Sequence, residues 1–146
     1  MAESSLISPP KKKTIPPGAI LNWPPERFRY DMREAETRDV LHRMNVAGRA
    51  RHLVWGPYDV LPAGRWRATS RLIFDKWSCR HKYYFEFGAV ADFVRHEFCP
   101  GREGVFEFET EHAWTKGSKT ELRVVMIESS LGGRFDFLGA RIERLS

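Results

Sequence analysis

From Arg65 to Asp75 the side chains alternate. Trp66, Ala68, Ser70, Leu72 and Phe74 fall on one side of an extended chain, and Arg65, Arg67, Thr69 and Arg71 on the other. That is the pattern of a strand with one face on a core. The same reading places strands where Tyr83, Phe85 and Phe87 alternate with Lys82, Tyr84 and Glu86, where Phe106 and Phe108 alternate with Glu107, Glu109 and Glu111, and where Leu122, Val124 and Met126 alternate with Arg123, Val125 and Ile127. Phe135 and Phe137 share a face, but Leu138, Ala140 and Ile142 continue on the opposite parity, so a bulge at Gly139 is expected. Glycine and proline clusters punctuate the run at Gly56-Pro57, Pro62-Ala63-Gly64, Cys99-Pro100-Gly101, Lys116-Gly117-Ser118 and Gly132-Gly133. Strands at this spacing, with no convincing helix between them, predict an all-β fold, an antiparallel β-sandwich of jelly-roll type.

Ahead of this region the pattern is mixed. Phe28, Met32, Ala35 and Val40 are spaced for a helix, whereas Val40, His42, Met44 and Val46 alternate as in a strand. One short N-terminal helix feeding a strand satisfies both. Residues 1–25 hold six of the nine prolines together with Lys11, Lys12 and Lys13, too little apolar surface to offset the entropy of ordering. They read as a flexible arm, with residues 26–146 as a single sandwich domain. The three lysines suit a solvated linker or a docking tail for phosphate or an acidic surface.

A length of 146 residues fits one core, and 42% hydrophobic with 13% aromatic residues excludes a disordered chain. The 24 Lys and Arg exceed the 19 Asp and Glu to give +5, which favours anionic partners without requiring them. No apolar run approaches the ~20 residues of a membrane-spanning helix, and residues 1–17 lack the apolar core of a secretory signal. Cytoplasmic localisation is the expectation. Cys79 and Cys99 are too few for a disulfide scaffold; they are read as reduced thiols or, at most, one bridge.

The segment from Trp55 to Thr69 is the most informative, with a Gly-Pro corner and a Pro-Ala-Gly turn ahead of the long strand. The sequence-based expectation is a strand that ends at Trp55. Gly56-Pro57-Tyr58, then Leu61-Pro62-Ala63-Gly64-Arg65-Trp66-Arg67, then Phe135-Asp136-Phe137-Leu138-Gly139 with Ala140 and Ile142, together resemble a family of small β-sandwich modules. These modules are similar to carbohydrate-binding domains and accompany bacterial glycosyltransferases and polysaccharide-building proteins. The likeness runs from about Arg49 to Leu145 and implies a fold more firmly than an activity.

Sugar recognition needs flat apolar faces for the C–H side of a pyranose and polar groups at its edge. Trp55, Tyr58, Trp77, Tyr84 and Trp114 are the candidate platforms, with Arg65, Arg67 and Arg71 as edge donors. Trp66 belongs to the core set, and Trp55 on its apolar strand also suits packing; Trp77 and Trp114 fall in expected loops. The arginines form either a cationic groove for acidic sugars or an exposed face paired with Glu107, Glu109 and Glu111. Those three glutamates also admit a hydrolase reading, because carboxylates about 5–9 Å apart can serve as acid and nucleophile or base. Cys79, His81, His96 and Cys99 could close a tetrahedral zinc site if their strands pair in register, although a buried thiol or a satisfied histidine is the plainer account. No phosphate-cradling glycine loop or nucleophile elbow occurs, so no cofactor is expected.

The sequence therefore points to a noncatalytic carbohydrate-binding-like module tied to bacterial polysaccharide or surface-glycan assembly, with an oligosaccharide or acidic glycan as partner. The alternative is a structural or protein-interaction sandwich, including a homo-oligomer. A small glycoside hydrolase and a nucleic-acid binder rank below these, the acidic strand arguing against a uniformly positive surface.

Overall fold

The computed structural model describes residues 14–31 and 44–146. Ten strands follow in chain order: β1 (Ile20–Trp23), β2 (Arg29–Tyr30), β3 (Met44–Asn45), β4 (Arg51–Leu61), β5 (Gly64–Phe74), β6 (Tyr83–Ala89), β7 (Asp92–Phe98), β8 (Gly104–Trp114), β9 (Ser118–Met126) and β10 (Arg134–Arg144). They form two antiparallel sheets. Sheet A runs β1-β10-β5-β8, with β3 also on β10; sheet B runs β2-β4-β9-β6-β7. Consecutive strands lie in opposite sheets throughout, except β6 and β7, in the manner of a jelly roll. Among the described residues no helix is long and apolar enough to cross a membrane.

The alternation read from the sequence sets which faces meet. Trp66, Ala68, Leu72 and Phe74 of β5 and Phe135, Phe137 and Ile142 of β10 point inward from sheet A. Tyr83, Phe85 and Phe87 of β6 and Leu122, Val124 and Met126 of β9 meet them from sheet B. Rings dominate the contact, with Phe74 and Tyr83 centroids 5.0 Å apart and Phe85 and Phe108 5.5 Å apart.

The slip expected at Gly139 is present: the β10–β5 register shifts between Phe137 and Ala140. Gly139 has φ +86, and a Cβ there would lie 2.5 Å from the Trp23 carbonyl oxygen. The bulge thus admits β1 to the edge of β10.

Two expectations are corrected. The strand ending at Trp55 instead continues as β4 to Leu61, passing through a cis Gly56–Pro57 bond with register shifts on β9 between His52 and Val54 and between Pro57 and Val60. Bulges absorb the corner without breaking the pairing. The arm over residues 1–25 also ends sooner than composition suggested, because Ile20–Trp23 pairs with β10 and Trp23 is buried at 1% exposure. One indole supplies the apolar area that the proline-rich stretch lacks. Of the expected N-terminal helix, the described residues show a three-residue 3-10 turn at Pro25–Arg27; Met32, Ala35, Val40, His42 and the three lysines lie outside them.

Candidate functional site

Register across sheet B lines up side chains on its outer face in three rows. The central row is Arg29, Trp55, Arg123, Glu86 and Arg95, contributed by β2, β4, β9, β6 and β7. On one side of it lie Pro57, Glu121, Gly88 and Phe93, and on the other His52, Val125, Tyr84 and Glu97. Antiparallel pairing brings these residues together, and the period of two keeps them on one side.

Over these rows lies a depression of about 760 Å³, lined by Tyr58, Glu86, Phe93, Arg95, Glu121 and Arg123 among others. A second hollow bounded by His52, Trp55, Tyr58, Glu121 and Arg123 adjoins it and shares three of its residues. Together they make a groove across the sheet. Gly88 shapes one wall, because a Cβ there would overlap the Asp92 and Phe93 backbone. β7 can therefore pair closely along β6 as the edge of the sheet, the hairpin turning at Val90 and Ala91 with φ +33 and +27. It sets Phe93 over the Arg123 guanidinium, 3.8 Å from the ring centroid.

Charge in the groove is organised around Glu86, whose side chain is only 2% exposed. Arg95 Nε lies 2.6 Å from Glu86 Oε2, and Arg123 Nε 3.1 Å from Oε1. The hydrogen bond to Glu86 raises the Arg95 pKa. Arg95 also covers the Tyr84 ring, 4.3 Å from its centroid. Arg123 reaches on to Glu121, Nη1 to Oε1 at 3.6 Å.

Tyr58 closes the other side, its hydroxyl donating to Glu121 Oε2 at 2.8 Å. Burial, followed by the bond to Glu121, pushes the Tyr58 pKa up, so the phenol keeps its proton at neutral pH. Its backbone is left-handed, φ +71. For a non-glycine residue this conformation costs about 1–3 kcal/mol and often marks a functional position.

The structure distributes the sequence candidates unevenly. Trp55, Tyr58 and Tyr84 share the outer face of sheet B; Trp55 is half-buried there rather than packed in the core. Trp77 is exposed, as expected of a loop, but precedes β6 and takes no part in the groove. Trp114 overturns its expectation. It ends β8, is 5% exposed and stacks on Trp66 at 6.0 Å with an interplanar angle of 4°. Both indoles donate to the Pro62 carbonyl, at 3.1 Å from Trp66 and 3.0 Å from Trp114. Pairing of Gly64 with Trp114 extends β8 to that point, so the ring is spent on packing.

Arg65, Arg67 and Arg71 lie on sheet A, where each is paired with a carboxylate instead of facing a free cationic groove. The β5–β8 register sets Glu111 opposite Arg67, Glu109 opposite Thr69 and Glu107 opposite Arg71. Arg67 approaches Glu111 at 2.8 Å, Glu109 at 3.3 Å and Glu143 at 3.7 Å, while Arg71 approaches Glu107 at 3.5 Å and Arg65 bonds Glu111. Hydrogen bonds from Arg67 and Arg65 hold the Glu111 pKa below its ordinary value. Glycoside hydrolysis asks one carboxyl to keep its proton, which is the reverse shift. Glu111 is thus set against the proton-donor role.

The proposed zinc set does not come together as a group of ligands among the described residues. His96 Nε2 bonds Thr110 Oγ1 at 2.7 Å, and the Cys99 thiol lies 3.6 Å from the Cys79 carbonyl oxygen. Both cysteines are free thiols. No metal-holding group of three His, Cys, Asp or Glu occurs among the described residues.

The sequence reading did not single out Glu86, Phe93, Arg95, Lys119, Glu121 and Arg123 as site residues. Glu86 and Arg123 fell in the alternations of β6 and β9, but no strand was expected where β7 carries Phe93 and Arg95, and which strands are neighbours was not legible.

No family profile matches the sequence, and no curated protein matches it significantly. Solved structures do share its fold. The CBM22-1 xylan-binding domain from Paenibacillus barcinonensis Xyn10C aligns with a TM-score of 0.56 at 10% identity, covering 89% of this chain and 97% of that one. TmCBM61 in complex with beta-1,4-galactotriose aligns with a TM-score of 0.52 at 12% identity, covering 89% and 90%. At such identities the likeness is one of architecture. The chain is a two-sheet β-sandwich of the kind these carbohydrate-binding modules display.

Proposed function

We propose that the protein is a noncatalytic carbohydrate-binding module whose oligosaccharide ligand lies along the groove of sheet B. One observation carries the reading: Trp55, Tyr58, Tyr84 and Phe93 share one face with Glu86, Glu121, Arg95 and Arg123. Rings supply apolar surface for the C–H faces of pyranoses, and the carboxylates and guanidinium groups replace the hydration of ring hydroxyls. Because the polar groups already pair with one another, the face is set before ligand arrives. The groove is open, so affinity is modest.

A role in bacterial polysaccharide or surface-glycan assembly is part of this proposal. It is supported by the resemblance carried by Gly56-Pro57-Tyr58 and by the Leu61–Arg67 and Phe135–Gly139 segments. The unpaired thiols of Cys79 and Cys99 fit a reducing compartment.

The test is calorimetric titration with soluble xylo-, gluco- and galacto-oligosaccharides and with uronic-acid oligomers, run beside Trp55→Ala and Tyr58→Ala. Saturable heat whose affinity each substitution lowers about tenfold is the expected result. Absence of heat with every sugar, or binding indifferent to both substitutions, would overturn the proposal.

A further inference from the structure

The end of the sandwich that carries Trp77 is built differently from the groove. Trp77 sits in the β5–β6 connection at 51% exposure, and Leu131 in the β9–β10 connection at 105%, among the most exposed large apolar side chains of the described residues. They flank a hollow of about 590 Å³ completed by Arg80, His81, Ser129, Ser130, Gly132 and Gly133. No acidic residue lines it. The Lys76 ammonium lies 5.3 Å and the Arg80 guanidinium 5.1 Å from the Trp77 ring centroid.

Two acids, Asp75 and Glu128, stand at this end, each outside the lining of the hollow and hydrogen-bonded to backbone N–H. Asp75 accepts backbone N–H bonds from Trp77 at 3.0 Å, Ser78 at 2.8 Å and Arg134 at 2.9 Å. Burial opposes its ionisation, but these bonds prevail and lower its pKa. Glu128 accepts the Lys82 N–H at 2.7 Å. Lys76, Arg80 and Lys82 are all exposed at this end.

The two apolar tips are held in fixed relation. Ser78 Oγ donates to the Arg134 carbonyl at 2.6 Å, and Gly133 approaches so closely that a Cβ there would stand 2.7 Å from Ser78 N. Val46 N–H bonds the Gly133 carbonyl at 3.0 Å, and Gly48 and Ser130 exchange two bonds of 2.8 Å. Trp77 and Leu131 therefore project from one braced platform.

This hollow offers one indole in place of the several rings of the groove, and two cations stand beside it. An indole and a leucine projecting beside lysine and arginine instead match a lipid interface, where the apolar groups enter the headgroup boundary and the cations meet anionic headgroups. We infer that the loop end carrying Trp77 and Leu131 docks on anionic membrane surfaces, with Lys76 and Arg80 contacting lipid phosphate or carboxylate. Trp77 precedes β6 and the hairpin at Val90 and Ala91 follows it, so this contact and the hairpin wall of the groove lie at opposite ends of that strand. The proposal stands independently of the groove's ligand.

The experiment is co-sedimentation of the full chain with vesicles of phosphatidylcholine alone and of phosphatidylcholine mixed with phosphatidylglycerol, at low and physiological salt. Binding to the anionic vesicles is expected, weakening with salt. Trp77→Ala combined with Leu131→Ser should cut it roughly tenfold, and Lys76→Gln with Arg80→Gln should remove most of its salt dependence. Both pairs are surface changes, and unchanged circular dichroism confirms that each variant folds. No binding to anionic vesicles, or binding that survives Trp77→Ala with Leu131→Ser, would overturn the inference. So would a soluble acidic oligosaccharide that quenches Trp77 fluorescence while anionic vesicles leave it unaltered, which assigns the end to sugar.

Discussion

Sheet A and sheet B both carry arginine and glutamate on their outer faces, and the two faces use them in opposite ways. On sheet A, Arg67 is surrounded by Glu109, Glu111 and Glu143, with Glu109 58% exposed. On sheet B, Arg123 joins Glu86 and Glu121, and Glu86 is 2% exposed beneath Arg95. The first is a solvated ladder, where each pair contributes little. The second lies beside four rings, with Phe93 against the Arg123 guanidinium, and there desolvation makes each pairing consequential. Charge content does not distinguish a site from a surface; cover and neighbouring rings do.

Substitutions can break this contrast. The largest effect is expected for Glu86→Ala, which leaves Arg95 and Arg123 without their shared carboxylate. Chemical denaturation should show a loss of about 3 kcal/mol, with ligand binding lost as well. Trp55→Ala and Tyr58→Ala should each weaken oligosaccharide binding about tenfold, or ~1.4 kcal/mol, with circular dichroism unchanged. Equal losses from substitutions on sheet A would dissolve the distinction between the faces.

Smaller still is an effect of acid. Arg27 hydrogen-bonds Asp59 and, against a partial burial penalty, lowers its pKa; Trp23 Nε1 adds a bond at 3.1 Å. Asp59 and Asp75 thus bind protons less readily folded than unfolded. Their stabilisation is complete above the unfolded carboxylate range and is lost as pH falls through the lowered folded values. Thermal midpoints should decline below about pH 4, and less steeply in Asp59→Asn. The smallest effect belongs to Arg67→Ala and Glu111→Ala on sheet A. Their midpoints should differ slightly from the parent at low salt and converge on it at high salt, with sugar binding intact.

Much of the architecture was legible in the chain because a strand declares its faces locally. Trp66 to Phe74, Tyr83 to Phe87 and Leu122 to Met126 show their inward sides by period two, and Gly139 shows its bulge by a change of parity. Strand neighbours are a long-range matter that no period reports. Hence the Arg67–Glu111 pairing could be named only as one alternative, and the Trp55–Arg123–Glu86–Arg95 row could not be assembled. Trp114 was misplaced because a strand end and a loop look alike in sequence. Trp23 was passed over because prolines around it masked one anchoring ring.

The docking of β1 on β10 bears on how this sandwich can be joined to other polypeptides. Gly18 N–H bonds the Arg144 carbonyl at 2.7 Å, and Arg144 N–H returns to the Ala19 carbonyl at 3.1 Å. The points of entry and exit are neighbours. The whole unit can therefore be spliced into a surface loop of a host protein with little separation of the host's two ends, and its native order of strands need not be the one in which it is expressed.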